Sequence, residues 1–196
     1  MIVNDHLFYI HIPRTGGRCF KQMLPDNVEV PEFGKYYYKG IQPLHLHYPL
    51  YNEYFGVEDM EHFTIVRNPF DRFKSALKGP LEAFPSENPD TSYNYFFKNG
   101  FDGAMELLLA ADAGPGNNWF RPQHEFVSET THVWKLEDGL GDNFIKWVWD
   151  NFNVKLKVGK PYDRADYDYI QVFDSVNKYK SCVEEHYKKD LERFDY

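Results

Sequence analysis

Leu7-Phe8-Tyr9-Ile10-His11-Ile12-Pro13-Arg14-Thr15-Gly16-Gly17-Arg18-Cys19-Phe20 passes from a β-branched and aromatic run, through a proline and a glycine pair, into residues at helical spacing. Leu7 to Ile12 reads as a buried strand, and Cys19, Phe20, Met23 and Leu24 as the inner face of a helix. Two glycines at that junction let backbone N–H groups converge on an oxyanion without interference from a Cβ. Thr15 adds a hydroxyl donor, and Arg14 and Arg18 add multi-donor cations suited to phosphate or sulfate oxygens. On the glycine pair alone a tight strand-to-helix turn with two solvated arginines is the simpler reading. Its place directly after a strand favours an anion site.

A second strand-to-helix junction lies at Ile65-Val66-Arg67-Asn68-Pro69-Phe70-Asp71-Arg72-Phe73-Lys74-Ser75. His62 to Val66 reads as a short buried strand with Arg67 at its C-terminal end. Asn68 falls at the N-cap of the next helix, Pro69 at N1 and Asp71 at N3. Phe70, Phe73, Ala76 and Leu77 give that helix one apolar face, and Gly79-Pro80 is expected to stop it. Ser75 lies about two turns past Arg67, and helical side chains lean toward the N-terminus, so both can reach one phosphate there. The plainer alternative is a capped surface helix with Arg67 in an ordinary ion pair.

Outward from these junctions, Pro25 to Tyr38 lacks a period and reads as irregular or partly stranded, and Gly40 to Tyr54 ends in a weak helical pattern. Glu82 to Tyr93 reads as a loop, Asp102 to Ala111 as a helix ended by Gly114-Pro115-Gly116, and His132 to Leu136 as a third strand. Asp142 is expected to cap a helix through Trp149, followed by a further strand, and Ser175 to Phe194 to form one long amphipathic helix. Strands alternating with helices predict an α/β fold with a central, mostly parallel sheet flanked by helices. The 196 residues, 42% hydrophobic and 18% aromatic, suit a single domain over residues 1–196.

Together the two junctions resemble the carbohydrate sulfotransferases that include heparan-sulfate 2-O- and 6-O-sulfotransferases, whose motifs read much like HIPKTGGT and VRDPxxRFxSxY. Here the matching segments are IHIPRTGG and IVRNPFDRFKSAL, in the same order, with the Arg-to-Ser spacing of eight kept. His45-Leu46-His47-Tyr48, Arg121-Pro122-Gln123 and the terminal His186 to Tyr196 extend the likeness. The chain departs from the family pattern with Arg14 in place of lysine and with Arg18 and Cys19 in place of threonine or serine. Gly159-Lys160-Pro161-Tyr162 stands where the family has an Asn-Lys-Ser segment.

The resemblance implies a P-loop-like sulfotransferase fold and transfer of a sulfuryl group from 3′-phosphoadenosine-5′-phosphosulfate (PAPS) to a hydroxyl, on a saccharide or small molecule, without a metal. It assigns Arg14, Thr15, Gly16, Gly17, Arg18 and Cys19 to the 5′-phosphosulfate and Arg67 and Ser75 to the 3′-phosphate. Arg14, at the family's lysine position, would stabilise the leaving oxygen. His45 fits the family pattern for the base, with His47 in reserve, while His11, inside the first strand, reads as a core histidine. Glu137 is left outside the catalytic set, and Trp119 and Arg121 are candidates for substrate contact.

Two alternatives remain open on the sequence. A nucleotide or sugar kinase of similar architecture is disfavoured because G-x-x-x-x-G-K-[ST] occurs nowhere. A catalytically impaired protein that binds PAPS or its desulfated product is favoured by Arg14 and Cys19. The net charge of −8 argues against nucleic-acid and anionic-membrane partners. Two cysteines suggest neither zinc nor a required disulfide, and no apolar run approaches the roughly 20 residues of a membrane span. A cytoplasmic location is therefore expected, and the oligomeric state is left open.

Overall fold

The structure is a computed structural model and describes residues 1–28, 37–83, 97–112, 118–159 and 176–196. The readings for Tyr36, most of Pro25 to Tyr38, most of Glu82 to Tyr93, Gly114 to Gly116, Lys160 to Tyr162 and Ser175 lie outside the described residues. Its centre is a four-stranded sheet in the order β1 (Ile2–Asn4), β2 (Leu7–Ile10), β3 (Glu61–Val66) and β4 (His132–Lys135). β2 and β3 are parallel, with Leu7 opposite Glu61 and Ile10 opposite Thr64. β3 and β4 are parallel, with Phe63 opposite His132 and Val66 opposite Lys135. β1 pairs antiparallel on the outer side of β2.

Seven α-helices complete the described architecture: α1 (Gly17–Met23), α2 (Leu50–Phe55), α3 (Pro69–Ala83), α4 (Gly100–Asp112), α5 (Asp142–Phe152), α6 (Lys180–His186) and α7 (Lys188–Phe194). The result is an α/β fold with a mixed sheet of three parallel strands. The two faces of the sheet follow the two-residue period of a strand. Leu7, Tyr9, Phe63 and Ile65 pack with Phe20 of α1 and with Phe144, Val148 and Phe152 of α5. Phe8, Ile10 and Val66 pack on the other side with Tyr51, Phe126 and Phe194. Both faces are covered, which is why β2 reads as a continuous apolar run and why β3 is buried from His62 onward, with the Thr64 hydroxyl donating to the Ile10 carbonyl at 2.8 Å.

Several expectations are corrected. β2 ends at Ile10, not Ile12, because its pairing with β3 ends at Ile10–Thr64. β4 ends at Lys135, and Leu136 opens a 3₁₀ turn through Asp138. α3 runs through Gly79-Pro80 to Ala83, proline's fixed φ of about −65° being compatible with helical backbone, so the expected breaker does not end it. α5 is capped by Gly141, with Asp142 already in the first turn, where a carboxylate favours the positive end of the helix dipole; it continues to Phe152 and ends on Asn153 at φ 53°. Residues 153–159 contain no strand. The expected single C-terminal helix is two helices joined at Tyr187 (φ −102°, ψ 24°). That break lies between two tertiary anchors, the Tyr187 hydroxyl bonded to the Phe120 carbonyl and the buried Asp190 carboxylate one turn later. β1, only three residues long, is too short to announce itself and was not expected.

Candidate functional site

Because β2, β3 and β4 run parallel, the segments that follow them emerge at one edge of the sheet, the edge at which α/β folds place ligands. The segment after β3 is fixed as its sequence indicated. The Asn68 side-chain oxygen accepts the N–H groups of Phe70 at 3.0 Å and Asp71 at 3.2 Å, capping α3 with Pro69 at the first helical position. Glu137, arriving from the end of β4, accepts the Asn68 N–H at 2.7 Å and the Tyr196 hydroxyl at 2.7 Å. It thereby clamps the start of α3 to the C-terminal segment.

Arg14, Arg67 and Ser75 meet at this edge. The Arg14 guanidinium donates from Nη2 to the main-chain carbonyl of Ser75, and its Cζ lies 4.9 Å from the centre of the Trp119 ring. Arg67 reaches back, its Nη1 3.5 Å from the Arg14 carbonyl. Two cations from separate junctions therefore reach the same stretch of this edge, with carbonyls and an indole face among their partners. Ser75 is 4% exposed, so its position on α3 faces inward.

The remaining loop residues are more committed to the fold than expected. Thr15 is fully buried and its hydroxyl donates to the Ile12 carbonyl at 2.8 Å. Gly16 has φ 93°, and a Cβ there would stand 2.8 Å from Leu136 Cδ1. A Cβ on Gly17 would stand 2.0 Å from His11 Nε2. Both glycines thus have a packing reason independent of any ligand. The N–H groups of Cys19 and Phe20 go to the Gly16 carbonyl, which leaves those of Gly17 and Arg18 ahead of the helical ladder. Cys19 is half-buried, and Arg18 is exposed on a separate cleft of about 530 Å³ that it shares with Lys21, Gln22 and Lys157.

His45 closes a short 3₁₀ turn, Pro43–His45, and is buried, with its ring centre 5.0 Å from that of His11. His47 is half-buried. Its burial, reinforced by the Arg121 charge and opposed by Glu125, pushes its pKa down to about 4. Asn118 joins the two histidines: Nδ2 lies 2.9 Å from the His45 carbonyl and 3.3 Å from His47 Nδ1, while Oδ1 accepts from Arg121 Nε at 3.1 Å. Arg121 is also paired with Glu125. Trp119, next in the chain to Asn118, lies against Arg14.

A supporting layer holds these residues. Arg72, 2% exposed, donates from Nε to the Pro13 carbonyl at 2.9 Å, from Nη1 to that of Arg121 at 2.9 Å, and from Nη2 to that of Asn118 at 3.4 Å. Gln123 pairs with both main-chain polar groups of Arg67, and the Asp190 carboxylate accepts the N–H groups of Gln123 and His124, each at 2.8 Å. The His124 ring nitrogen Nδ1 lies 2.7 Å from the same carboxylate. Sequence reading missed Arg72, Asn118 and Asp190 as organisers. Arg72 carried a usable signal, a charge among the apolar positions of α3, whereas Asp190 looks like any solvated helical acid.

The arrangement brings Arg14, Arg67 and Ser75 to one edge of the sheet and ties His45 and His47 together through Asn118. Among the described residues no group of three or more histidines, cysteines or acids could hold a metal ion, and no helix is long and apolar enough to cross a membrane. No family model, curated protein or solved structure matches the chain.

Proposed function

We propose that the protein is a PAPS-dependent sulfotransferase with a P-loop-like sulfotransferase fold, one domain over residues 1–196, acting in the cytoplasm on a hydroxyl of a saccharide or small molecule. The observation that supports this reading most is the meeting of Arg14, Arg67 and Ser75, drawn from two junctions about sixty residues apart, at one edge of a parallel sheet. Two arginines drawn to one edge of the sheet suit a ligand carrying separate phosphate and phosphosulfate groups.

PAPS supplies a sulfuryl group on a phosphate leaving group: the acceptor oxygen bonds to sulfur, the sulfur–phosphate oxygen bond breaks, and the hydroxyl proton passes to a base. Arg67 and Ser75 take the 3′-phosphate, and the main chain of Gly16 and Gly17, with Arg18 and Cys19 following, takes the 5′ end. Arg14 acts electrostatically on the charge that builds there, since a guanidinium keeps its protons near neutral pH. His45 or His47 receives the proton. Catalysis on these terms is alignment and charge stabilisation, with no metal required.

A second reading, a protein that binds the nucleotide without transferring sulfate, is favoured by two observations. The Thr15 hydroxyl is bonded to Ile12, and Arg14 Nη2 is bonded to Ser75. Calorimetry with 3′-phosphoadenosine-5′-phosphate tests the site: binding should weaken at least tenfold in Arg67→Ala and measurably in Ser75→Ala, and unchanged affinity in both removes the assignment. Radiolabelled transfer from PAPS to a panel of saccharide and small hydroxyl acceptors then separates enzyme from binding protein.

A further inference from the structure

The orientation of the Asn118 amide is dictated by its neighbours. Arg121 Nε is only a donor, so the atom facing it at 3.1 Å is the amide oxygen. The His45 carbonyl is only an acceptor, so the atom facing it at 2.9 Å is the amide nitrogen. Both requirements select the same orientation, and they turn the NH₂ group toward His47 Nδ1 at 3.3 Å. Asn118 is 5% exposed and its main-chain carbonyl is held by Arg72 Nη2, so the amide sits on a braced support.

We propose that Asn118 is a positioning residue that fixes His47 with its proton on Nε2, leaving His45 as the base for the acceptor hydroxyl. A nitrogen that faces an N–H donor must offer its lone pair, so Nδ1 of His47 is the unprotonated position. A neutral imidazole in that tautomer presents Nε2–H as a hydrogen-bond donor and has no lone pair there to receive a proton. Uptake at Nδ1 would break the bond to Asn118 and place a cation beside Arg121. The same amide holds the main chain of His45 and so sets where that imidazole stands. This division of labour rests on the sulfuryl-transfer reading, while the tautomer assignment stands on geometry alone.

The test is long-range ¹H–¹⁵N correlation spectroscopy of protein labelled at histidine nitrogen, at neutral pH, without nucleotide or acceptor. His47 should show the Nε2–H pattern, shifting toward Nδ1–H in Asn118→Asp, where a carboxylate replaces the amide donor. A wild-type His47 in the Nδ1–H form overturns the proposal and requires no variant to fold. In the transfer assay, kcat should fall on the order of 100-fold or more in His45→Gln and less in His47→Gln; the reverse order also overturns it. The expected tautomer together with no transfer to any acceptor would retain the Asn118–His47 assignment and remove the sulfuryl-transfer reading.

Discussion

Gln123 holds Arg67 by both of its main-chain polar groups: the amide oxygen accepts the Arg67 N–H at 3.0 Å and the amide nitrogen donates to the Arg67 carbonyl at 2.8 Å. This is the pairing a neighbouring strand would provide, supplied by one side chain just past the end of β3. Gln123→Ala leaves a donor and an acceptor without these partners, at a cost of about 1–3 kcal/mol. The expected outcome is a lower urea midpoint with an unchanged m-value, together with weaker nucleotide binding. Gln123→Glu, which keeps the acceptor and loses the donor, should fall between the two.

Arg72→Met should be more damaging. A buried guanidinium that serves three carbonyls cannot be replaced by a thioether without leaving those acceptors unsatisfied, and bonds to charged groups contribute about 1.5–3 kcal/mol each before compensation. Equilibrium denaturation should show a loss on the order of 3 kcal/mol or more. Arg72→Lys should recover only part of it, because an ammonium cannot reproduce the planar fork.

Gly17→Ala should be destabilising by about 1–3 kcal/mol because the new methyl group meets the His11 ring. Removing the obstacle reverses the sign: in a His11→Ala background the same change should be neutral or stabilising, as alanine's helix propensity exceeds glycine's by up to about 1 kcal/mol. A double-mutant cycle by thermal or denaturant unfolding measures that coupling.

Acid should weaken the fold through its histidines. Burial is the leading cause that lowers the pKa values of His11, His47, His62 and His186, so the unfolded chain takes up protons at a pH where the folded chain does not. For His47 the window runs from about 6.5, the ordinary histidine value, down to about 4. Stability contributed by neutral His47 is present above that window and is lost as pH falls through it. Urea midpoints measured from pH 7 to pH 4 should decline, and His47→Gln should flatten the decline by at most one proton.

The parallel core was legible because local chemistry and tertiary role agreed. Leu7 to Ile10 is apolar on both faces, His62 to Val66 is rich in aromatic and β-branched residues, and Asn68-Pro69 names its own cap. The helix divided at Tyr187 was not legible, since Val183, Tyr187 and Phe194 keep a helical period across a break imposed by contacts with distant Phe120 and Gln123. At the site, Arg14 stood out as a charge beside the glycine pair, and Arg67 and Ser75 could be paired by their spacing. Asn118 and Gln123 could not, because an amide in a loop acquires meaning only from what the fold sets around it. The glycine pair carries a further lesson: residues read as making room for an anion also make room for Leu136 and His11.

The hub at Arg72 couples two segments that the chain order keeps apart. Pro13 lies in one and Asn118 and Arg121 in the other, yet one side chain ties all three carbonyls. Motion in either segment is resisted by the other, so their conformational freedom is surrendered when the chain folds. Under the proposed function a nucleotide would meet segments already fixed in place, and affinity lost on loosening the hub should appear chiefly as faster dissociation.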